Sequence, residues 1–350
     1  MARRSRNKSV VGVEIEPGAV TVASVSVNGH LAVERAASAP LEPNVVRDGE
    51  VVDHEAVAEA LRTIWAEHKG LAKNVRVGVA NARIVMRVLD LPELNDAKEL
   101  EAVVRFHAEQ ELPMPLDSAV LDHQVLGSVM TPDGPRLRVV VVAARREMIE
   151  RVVASVRAAG LKVDGIDLSA FAMIRALKRD DEPTVYVAVG GTTNLAVADD
   201  RGCLFTRVTG GGVEAMVTAL AERLSVSVET ARDFIFRAGF EGKGFDMAED
   251  GEAVAMARTV LAAGVRQIAG EVRSSLDYHQ AQSGDEAAVR NVVLTGPAVA
   301  IPGFAETLCT ELGLPVETRG VAEVAPGVVE DIDPARLSIA AGLAVTEVPA

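Results

Sequence analysis

Apolar and polar residues alternate along two short segments of the chain, and a turn interrupts each segment. Val10 to Val27 alternates on both sides of Pro17-Gly18, which predicts two strands joined by a tight turn. A similar strand, Val187 to Val189, runs into Gly190-Gly191, and position 188 lies 174 residues beyond position 14. Because this offset is about half of the 350 residues, we expect two structurally related halves.

Apolar residues at helical spacing predict most of the remaining elements. The predicted helices cover His54 to His68, Asn95 to Leu112 with Asn95 as its cap, Arg145 to Ala159, Val213 to Leu224, Ser227 to Ala238, Glu252 to about Gln282, and a short helix bearing Phe304. Strand-like runs occur at Val75 to Ala80, Ile84 to Leu89, Leu137 to Ala144 and Asn291 to Leu294. Glu241 to Gly251 is predicted to be an exposed loop. A final helix follows Asp333-Pro334, and its Ala340-Ala341-Gly342 predicts close backbone packing.

Composition restricts the class of protein. With 36 basic and 50 acidic side chains the net charge is −14, which argues against a nucleic-acid partner. A hydrophobic content of 49% suits a globular core, but no apolar stretch approaches the roughly 18 to 20 residues that span a bilayer. The basic opening MARRSRNK leads into no signal-like region, and the two cysteines form no close pair. We therefore expect a cytoplasmic protein.

Two glycine loops are candidates for binding a nucleotide. Val189 to Asn194 combines glycine N–H groups with threonine hydroxyls, as phosphate-binding turns do, although an ordinary hairpin turn has the same makeup. Thr295-Gly296-Pro297 follows a buried strand and would let a purine base approach the backbone. Two similar hairpins and this loop together favour a nucleotide cleft between the halves. The six histidines never fall at close ligand spacing, so we expect no metal site.

The segment Leu91 to Gly127 carries the run A-E-Q-x-[LI]-P-x-P-L-D at Ala108 to Asp117. This run resembles the PilM family of type IV pilus assembly proteins, relatives of the cell-division protein FtsA in the actin-like superfamily. Further similarity lies in Val139 to Asp167, Glu271 to Gln282 and Val292 to Phe304. The resemblance implies an α/β, actin-like (ribonuclease H-like) fold of two lobes with an inserted FtsA-type α/β subdomain.

The resemblance also implies a domain division. Residues 1–73 and 161–180 would form the first lobe, residues 74–160 the inserted subdomain, and residues 181–350 the second lobe, with a helical subdomain at about 213–265.

The same resemblance identifies a nucleotide cleft that has departed from the family pattern. The first phosphate motif retains a carboxylate at Glu14, but Glu16 replaces its glycine and Thr21 its lysine. Ala188 replaces the aspartate of the second motif, and Pro297 removes a backbone donor from the adenosine loop. The cleft residues are Glu14, Glu16, Gly18, Gly190, Gly191, Thr192, Thr193, Gly296 and Pro297. We expect ATP binding to be weak or lost, with no catalytic residues and no metal.

The function implied is a scaffold on the inner face of the bacterial inner membrane. Its partner would be the cytoplasmic N-terminal segment of a PilN-like membrane protein, bound between the first lobe and residues 74–160, with links to a PilO-like protein and the pilus motor. The alternative is an ATP-binding switch or slow ATPase of the same superfamily. A small-molecule kinase would need a catalytic aspartate that the sequence does not locate. A division role like that of FtsA would need an amphipathic tail, which Glu347 to Ala350 does not form.

Overall fold

The computed structural model of the chain describes residues 10–27, 30–94, 96–132, 134–178, 182–242, 250–283, 289–325 and 332–345. The predicted cap at Asn95, the tail at Glu347 to Ala350, and most of the loop predicted over Glu241 to Gly251 lie outside these residues.

The strands of the described residues are numbered along the chain. They are β1 (Val11–Glu16), β2 (Ala19–Val27), β3 (Leu31–Pro40), β4 (Val46–Arg47), β5 (Glu50–Val51), β6 (Asn74–Val79), β7 (Val85–Pro92), β8 (Ala119–Thr131), β9 (Gly134–Arg145), β10 (Lys162–Leu168), β11 (Thr184–Val189), β12 (Thr193–Asp199), β13 (Gly202–Thr209), β14 (Asn291–Thr295), β15 (Val316–Thr318) and β16 (Glu323–Val324).

With one exception, over Ser169–Leu177, the helices of the same residues follow the sequence-based prediction closely. They are α1 (His54–Glu67), α2 (Ala97–Glu111), α3 (Arg146–Ala158), α4 (Ser169–Leu177), α5 (Val213–Leu224), α6 (Val228–Ala238), α7 (Gly251–Ser283), α8 (Phe304–Leu312) and α9 (Ser338–Ala344).

Two large sheets repeat one topology, as the two hairpins predict. The first has the order β10-β6-β1-β2-β3-β16 and the second has the order β13-β12-β11-β14-β15. In the first sheet β1 pairs with β2 antiparallel and with β6 parallel. In the second, β11 pairs with β12 antiparallel and with β14 parallel. The sheets therefore define two related lobes.

Helices cover both sheets in layers. One face of the first sheet packs against α1 and α3 around Leu61 and Val152. One face of the second packs against α5, α6, α7 and α8 around Leu261 and Phe304. Between the lobes lie α4 and α9, whose residues contact Tyr186 and other side chains of the second sheet. This central layer holds the two lobes together.

A smaller sheet, of order β7-β9-β8, forms a separate unit over Val85 to Arg145. Helix α2 covers one of its faces through Leu100, Val104 and Ala108. The predicted boundaries at 74 and 160 are wider than this unit. Strand β6 lies in the middle of the first sheet between β1 and β10, and α3 packs into the first core. Strand β6 therefore belongs to the first lobe through its parallel pairing, and α3 belongs to it through its packing.

The end of the second half also returns to the first lobe. Strand β16 pairs parallel with β3, and α9 packs against β1 and β2. A Cβ atom at Gly12 would lie 1.9 Å from the carbonyl oxygen of Ala340, and one at Gly342 would lie 1.9 Å from that of Ala172. The predicted close packing at Ala340-Ala341-Gly342 is confirmed. The second lobe therefore does not extend over all of residues 181–350.

Candidate functional site

The first hairpin turn, Glu16-Pro17-Gly18, projects towards the second lobe. Proline at the second position of this turn and a glycine with φ of +87° at the third are typical of a type II turn. The matching turn of the second lobe is Gly190-Gly191-Thr192, between β11 and β12. The predicted site therefore rests on two loops that each follow the first strand of a lobe.

The two turns touch each other. The backbone N–H of Gly191 donates a hydrogen bond of 2.6 Å to Oε2 of Glu16. A Cβ atom added to Gly190 would lie 2.2 Å from the same oxygen, and one added to Gly191 would lie 2.2 Å from the carbonyl oxygen of Pro17. A carboxylate of the first lobe thus occupies the position in front of a backbone donor of the second.

Little space remains beside this contact. Glu14, Glu16, Gly190, Thr192, Gly296 and Pro297 all line one cavity, which we call the cleft cavity. Its volume is about 30 Å³, enough for about two water molecules. A wider cavity of about 740 Å³ lies beside Gly18 and Pro297, where Arg232 and Phe236 of α6 also line it.

Threonine and glycine complete the second turn and the adenosine loop. Thr192 and Thr193 are buried, and the Thr193 hydroxyl donates to the carbonyl of Gly211. Gly296 has a φ of +87°, and its N–H donates to the carbonyl of Ala335 at 3.2 Å. The structure therefore brings all nine predicted cleft residues to one place between the lobes.

The carboxylates of this cleft are perturbed by burial and by each other. Burial raises the pKa of Glu14 well above its ordinary value of 4.5, the Glu16 carboxylate raises it further, and the Arg336 guanidinium opposes both effects. Burial also raises the pKa of Glu16, against the hydrogen bond from Gly191 and the charge of Arg336. Both groups therefore favour the protonated form more than an exposed glutamate does.

An ion pair supports the turn from the second lobe. Arg232 of α6 donates two hydrogen bonds to Glu214 of α5, at 2.5 and 2.6 Å. A Cβ atom added to Gly18 would lie within 2.5 to 2.7 Å of the Glu214 carboxyl group. The first turn is therefore held between the Gly190-Gly191 turn and this carboxylate.

Sequence reasoning assigned no role to two polar residues of the cleft. Asn194 lies opposite Ala188, is 3% exposed, and neither its Nδ2 nor its Oδ1 has a hydrogen-bond partner. Arg336 lines the cleft cavity with a buried Nε that also lacks a partner. Asn194 is the last residue of the second phosphate motif, which is the one signal that could have identified it. Arg336 carries no such signal.

A groove separates the inserted unit from the first lobe, where the sequence predicted a partner site. Its walls include Val120, Asp122 and Gln124 of β8, Val142 of β9, and Ile166 and Phe171 of the first lobe. We call this space, of about 230 Å³, the partner groove. The side chains from β8 and β9 share one face, because Asp122 lies opposite Val142 in the ladder. Helix α2 covers the opposite face of this small sheet. The face that lines the groove is therefore turned towards the first lobe.

A second interlobe space lies next to the groove. Val79, Ala80 and Leu168 of the first lobe line it together with Asn194, Thr206 and Val208 of the second. We call this space, of about 420 Å³, the interlobe cavity.

The described residues contain neither a metal-binding cluster nor a membrane-spanning helix. No three His, Cys, Asp or Glu side chains come together there as ligands for a metal ion. None of the helices in the described part of the chain combines the length and apolarity needed to cross a bilayer.

Known structures share this arrangement over the whole chain. A structure described as a PilM-PilN type IV pilus biogenesis complex matches with a TM-score of 0.77 and 24% identity, covering 96% of this chain and 97% of the other. The ethanolamine utilization protein EutJ from Carboxydothermus hydrogenoformans matches with a TM-score of 0.55 and 18% identity, covering 96% and 88%. These similarities confirm the actin-like α/β fold.

The sequence itself matches the family described as type IV pilus assembly protein PilM over residues 12–345. This match covers nearly the whole chain, including both hairpins, the inserted unit and the adenosine loop. The protein therefore belongs to the PilM family of type IV pilus assembly proteins.

Proposed function

We propose that this protein is a non-catalytic docking scaffold that binds the cytoplasmic N-terminal segment of a PilN-like inner-membrane protein in the partner groove. The observation that carries the proposal is a groove with apolar walls between the inserted unit and the first lobe, in a member of the PilM family. The match to the PilM-PilN complex covers almost all of this chain and of the chain it is compared with, and it supports the choice of partner. Docking would hold the protein at the inner face of the membrane, where a PilO-like protein and the pilus motor would join it.

The groove suits an extended segment. Val120, Val142, Ile166 and Phe171 offer apolar contacts, and four of the lining residues come from β8, an edge strand of its sheet. An edge strand presents unpaired backbone groups that an extended peptide can bind, while side-chain pockets provide specificity. A segment that becomes ordered on binding loses chain entropy, so we expect a dissociation constant of about 1 μM.

The same function would not require nucleotide. The Glu16 carboxylate accepts the Gly191 N–H that would otherwise face a phosphate oxygen, and the turns leave a cavity of about 30 Å³. These contacts support a cleft in which ATP binding is weak or lost. The alternative, an ATP-driven switch, is favoured by the retained Gly190 to Thr193 turn and by the cavity beside Pro297.

The test is calorimetric titration of a PilN-like N-terminal peptide into the intact protein without nucleotide. Two variants of β8 form a matched pair, since Val120 is 36% exposed and lines the groove, whereas Val125 is 43% exposed and does not line it. We expect Val120→Arg to weaken binding at least about tenfold by filling the groove, and Val125→Arg to leave it unchanged. Excising residues 74–160 would be a poor test, because it removes β6 from the first sheet.

Equal affinities of the two variants would place the peptide elsewhere. No binding to the intact protein at high peptide concentration would overturn the docking function.

A further inference from the structure

The partner groove continues towards the second lobe. Val79 and Leu168 line both the groove and the interlobe cavity, so the two spaces meet at these residues. The far wall of the cavity comes from β13, an edge strand of the second sheet. A segment that fills the groove therefore ends beside a cavity whose far wall belongs to the second lobe.

A buried amide without a partner lines this cavity. Asn194 lies opposite Val208 in the ladder, and both residues line the interlobe cavity. Its side chain is 3% exposed, and both amide atoms lack hydrogen bonds. Buried polar groups in folded proteins are almost always paired, so this amide requires water or a ligand.

The chemistry of an asparagine side chain selects the ligand class. Its Nδ2 donates and its Oδ1 accepts. In an extended segment the N–H and the C=O of one residue point to the same side, so together they form a group that can satisfy both atoms at once. Val79, Leu168 and Val208 give the cavity apolar walls, and Thr209 adds a buried hydroxyl that also lacks a partner. An extended polypeptide passing Asn194 would supply such a group with any side chain.

We propose that the docked segment runs from the partner groove into the interlobe cavity, where the Asn194 amide binds the N–H and the C=O of one of its residues. This inference rests on the proposed function, because it requires the same segment to occupy the groove. It adds a contact with the second lobe, so that one partner segment touches both lobes.

The experiment titrates the PilN-like peptide into the full chain and into Asn194→Ala. We expect Asn194→Ala to weaken binding about tenfold, the loss of two neutral hydrogen bonds. The matched control is Cys203→Ala, a buried change on β13 that faces the same central layer but does not line the cavity. It should leave the affinity unchanged. Thermal melting should show that Asn194→Ala is no less stable than the parent protein, because it removes an unpaired polar group.

A scan of peptides with single N-methylated backbone amides then locates the bound group. One position should weaken binding to the parent protein and have no effect on Asn194→Ala, because the two changes remove the same contact.

If Val120→Arg weakens binding while Asn194→Ala binds as tightly as the parent, water fills the cavity and this inference is overturned, although the docking function stands. If the parent protein binds no peptide, both proposals fail together. If every methylated position weakens binding to the parent protein and to Asn194→Ala by the same factor, the contact with Asn194 is also overturned.

Discussion

The Glu16 carboxylate takes the part that a phosphate oxygen plays in a nucleotide-binding turn. It accepts the Gly191 N–H at 2.6 Å, and this donor therefore needs no bound anion. The neighbouring carboxylate of Glu14 then lies close to a second negative group, with Arg336 as the opposing charge. This contact supports the proposal that ATP binding is weak or lost.

The raised pKa of Glu14 predicts how stability responds to pH. Between the ordinary value of 4.5 and the raised value, the folded protein holds a proton that the unfolded chain has released. The contribution of this group to stability is therefore lost as pH rises through that window. Glu14→Gln is neutral at every pH, so its melting temperature should rise relative to that of the parent protein as the pH increases from 5 to 8.

Melting curves at several pH values measure this difference. The control Glu101→Gln removes one negative charge from the exposed face of α2. The assigned cause is contradicted if the difference in melting temperature between Glu14→Gln and the parent protein stays constant across the pH range. It is also contradicted if this difference matches that of the control.

At the scale of elements, the decisive contact joins two turns that are distant in sequence. The Gly191 backbone lies against Pro17, and α9 lies against α4 and β1 with similarly close backbone approaches. Each of these contacts needs a residue without a side chain. Glycine therefore sets the distance between the lobes.

We predict that Gly191→Ala destabilises the protein by about 1–3 kcal/mol, because its Cβ would meet the Pro17 carbonyl at 2.2 Å. Gly270→Ala is the matched control, since a Cβ there has no neighbour within 4 Å and Gly270 lies within α7. It should stabilise the protein by about 0.5–1 kcal/mol. Chemical denaturation measures both, and an equal effect of the two changes would mean that the turns move apart freely.

Local patterns predicted the elements better than the connections between them. Both hairpins and the long helix α7 carry their own periodicity, and the structure confirms them. Strand β8 was missed because both of its faces are largely exposed, which weakens the alternation. The described N-cap of α2 is Asp96, whose Oδ1 accepts the N–H groups of Lys98 and Glu99.

In the candidate site, too, local patterns predicted the turns but not the contact between them. The motifs identified Gly190, Gly191 and Gly296, because such turns need their backbone freedom, but they did not identify Gly49, which also lines the cleft cavity. The hydrogen bond from Gly191 to Glu16 joins residues 175 positions apart, and no local pattern predicts it. The boundary at 74 failed for the same reason, because β6 owes its place to β1 and β10.

At the scale of the whole molecule, the lobes meet in several places besides the turns. The central helices α4 and α9 bury side chains of both lobes. Leu126 of the inserted unit also lies 3.4 Å from the position that a Cβ at Gly202 of the second lobe would take. A scaffold that presents one groove benefits from such a closed arrangement.

We predict that millimolar ATP with Mg²⁺ leaves the melting temperature of the protein nearly unchanged. Ligand at a hundred times its dissociation constant would add about 2.7 kcal/mol, a readily measured shift. Combining Glu16→Gly with Ala188→Asp frees the Gly191 N–H and restores a carboxylate for hydrated Mg²⁺, so this variant should melt higher with MgATP. A clear shift for the parent protein that disappears in a Thr192 variant would contradict a cleft that has lost its ligand.

The return of the second half to the first lobe has a consequence for synthesis. The first sheet gains its edge strand from Glu323–Val324, and its inner face is covered by α9, whose residues are all buried. During translation the apolar inner face of the first sheet therefore lacks part of its cover until Ser338–Ala344 has been added. The first lobe is complete only after the residues of β16 and α9 have been synthesised, and chaperones have that interval in which to act.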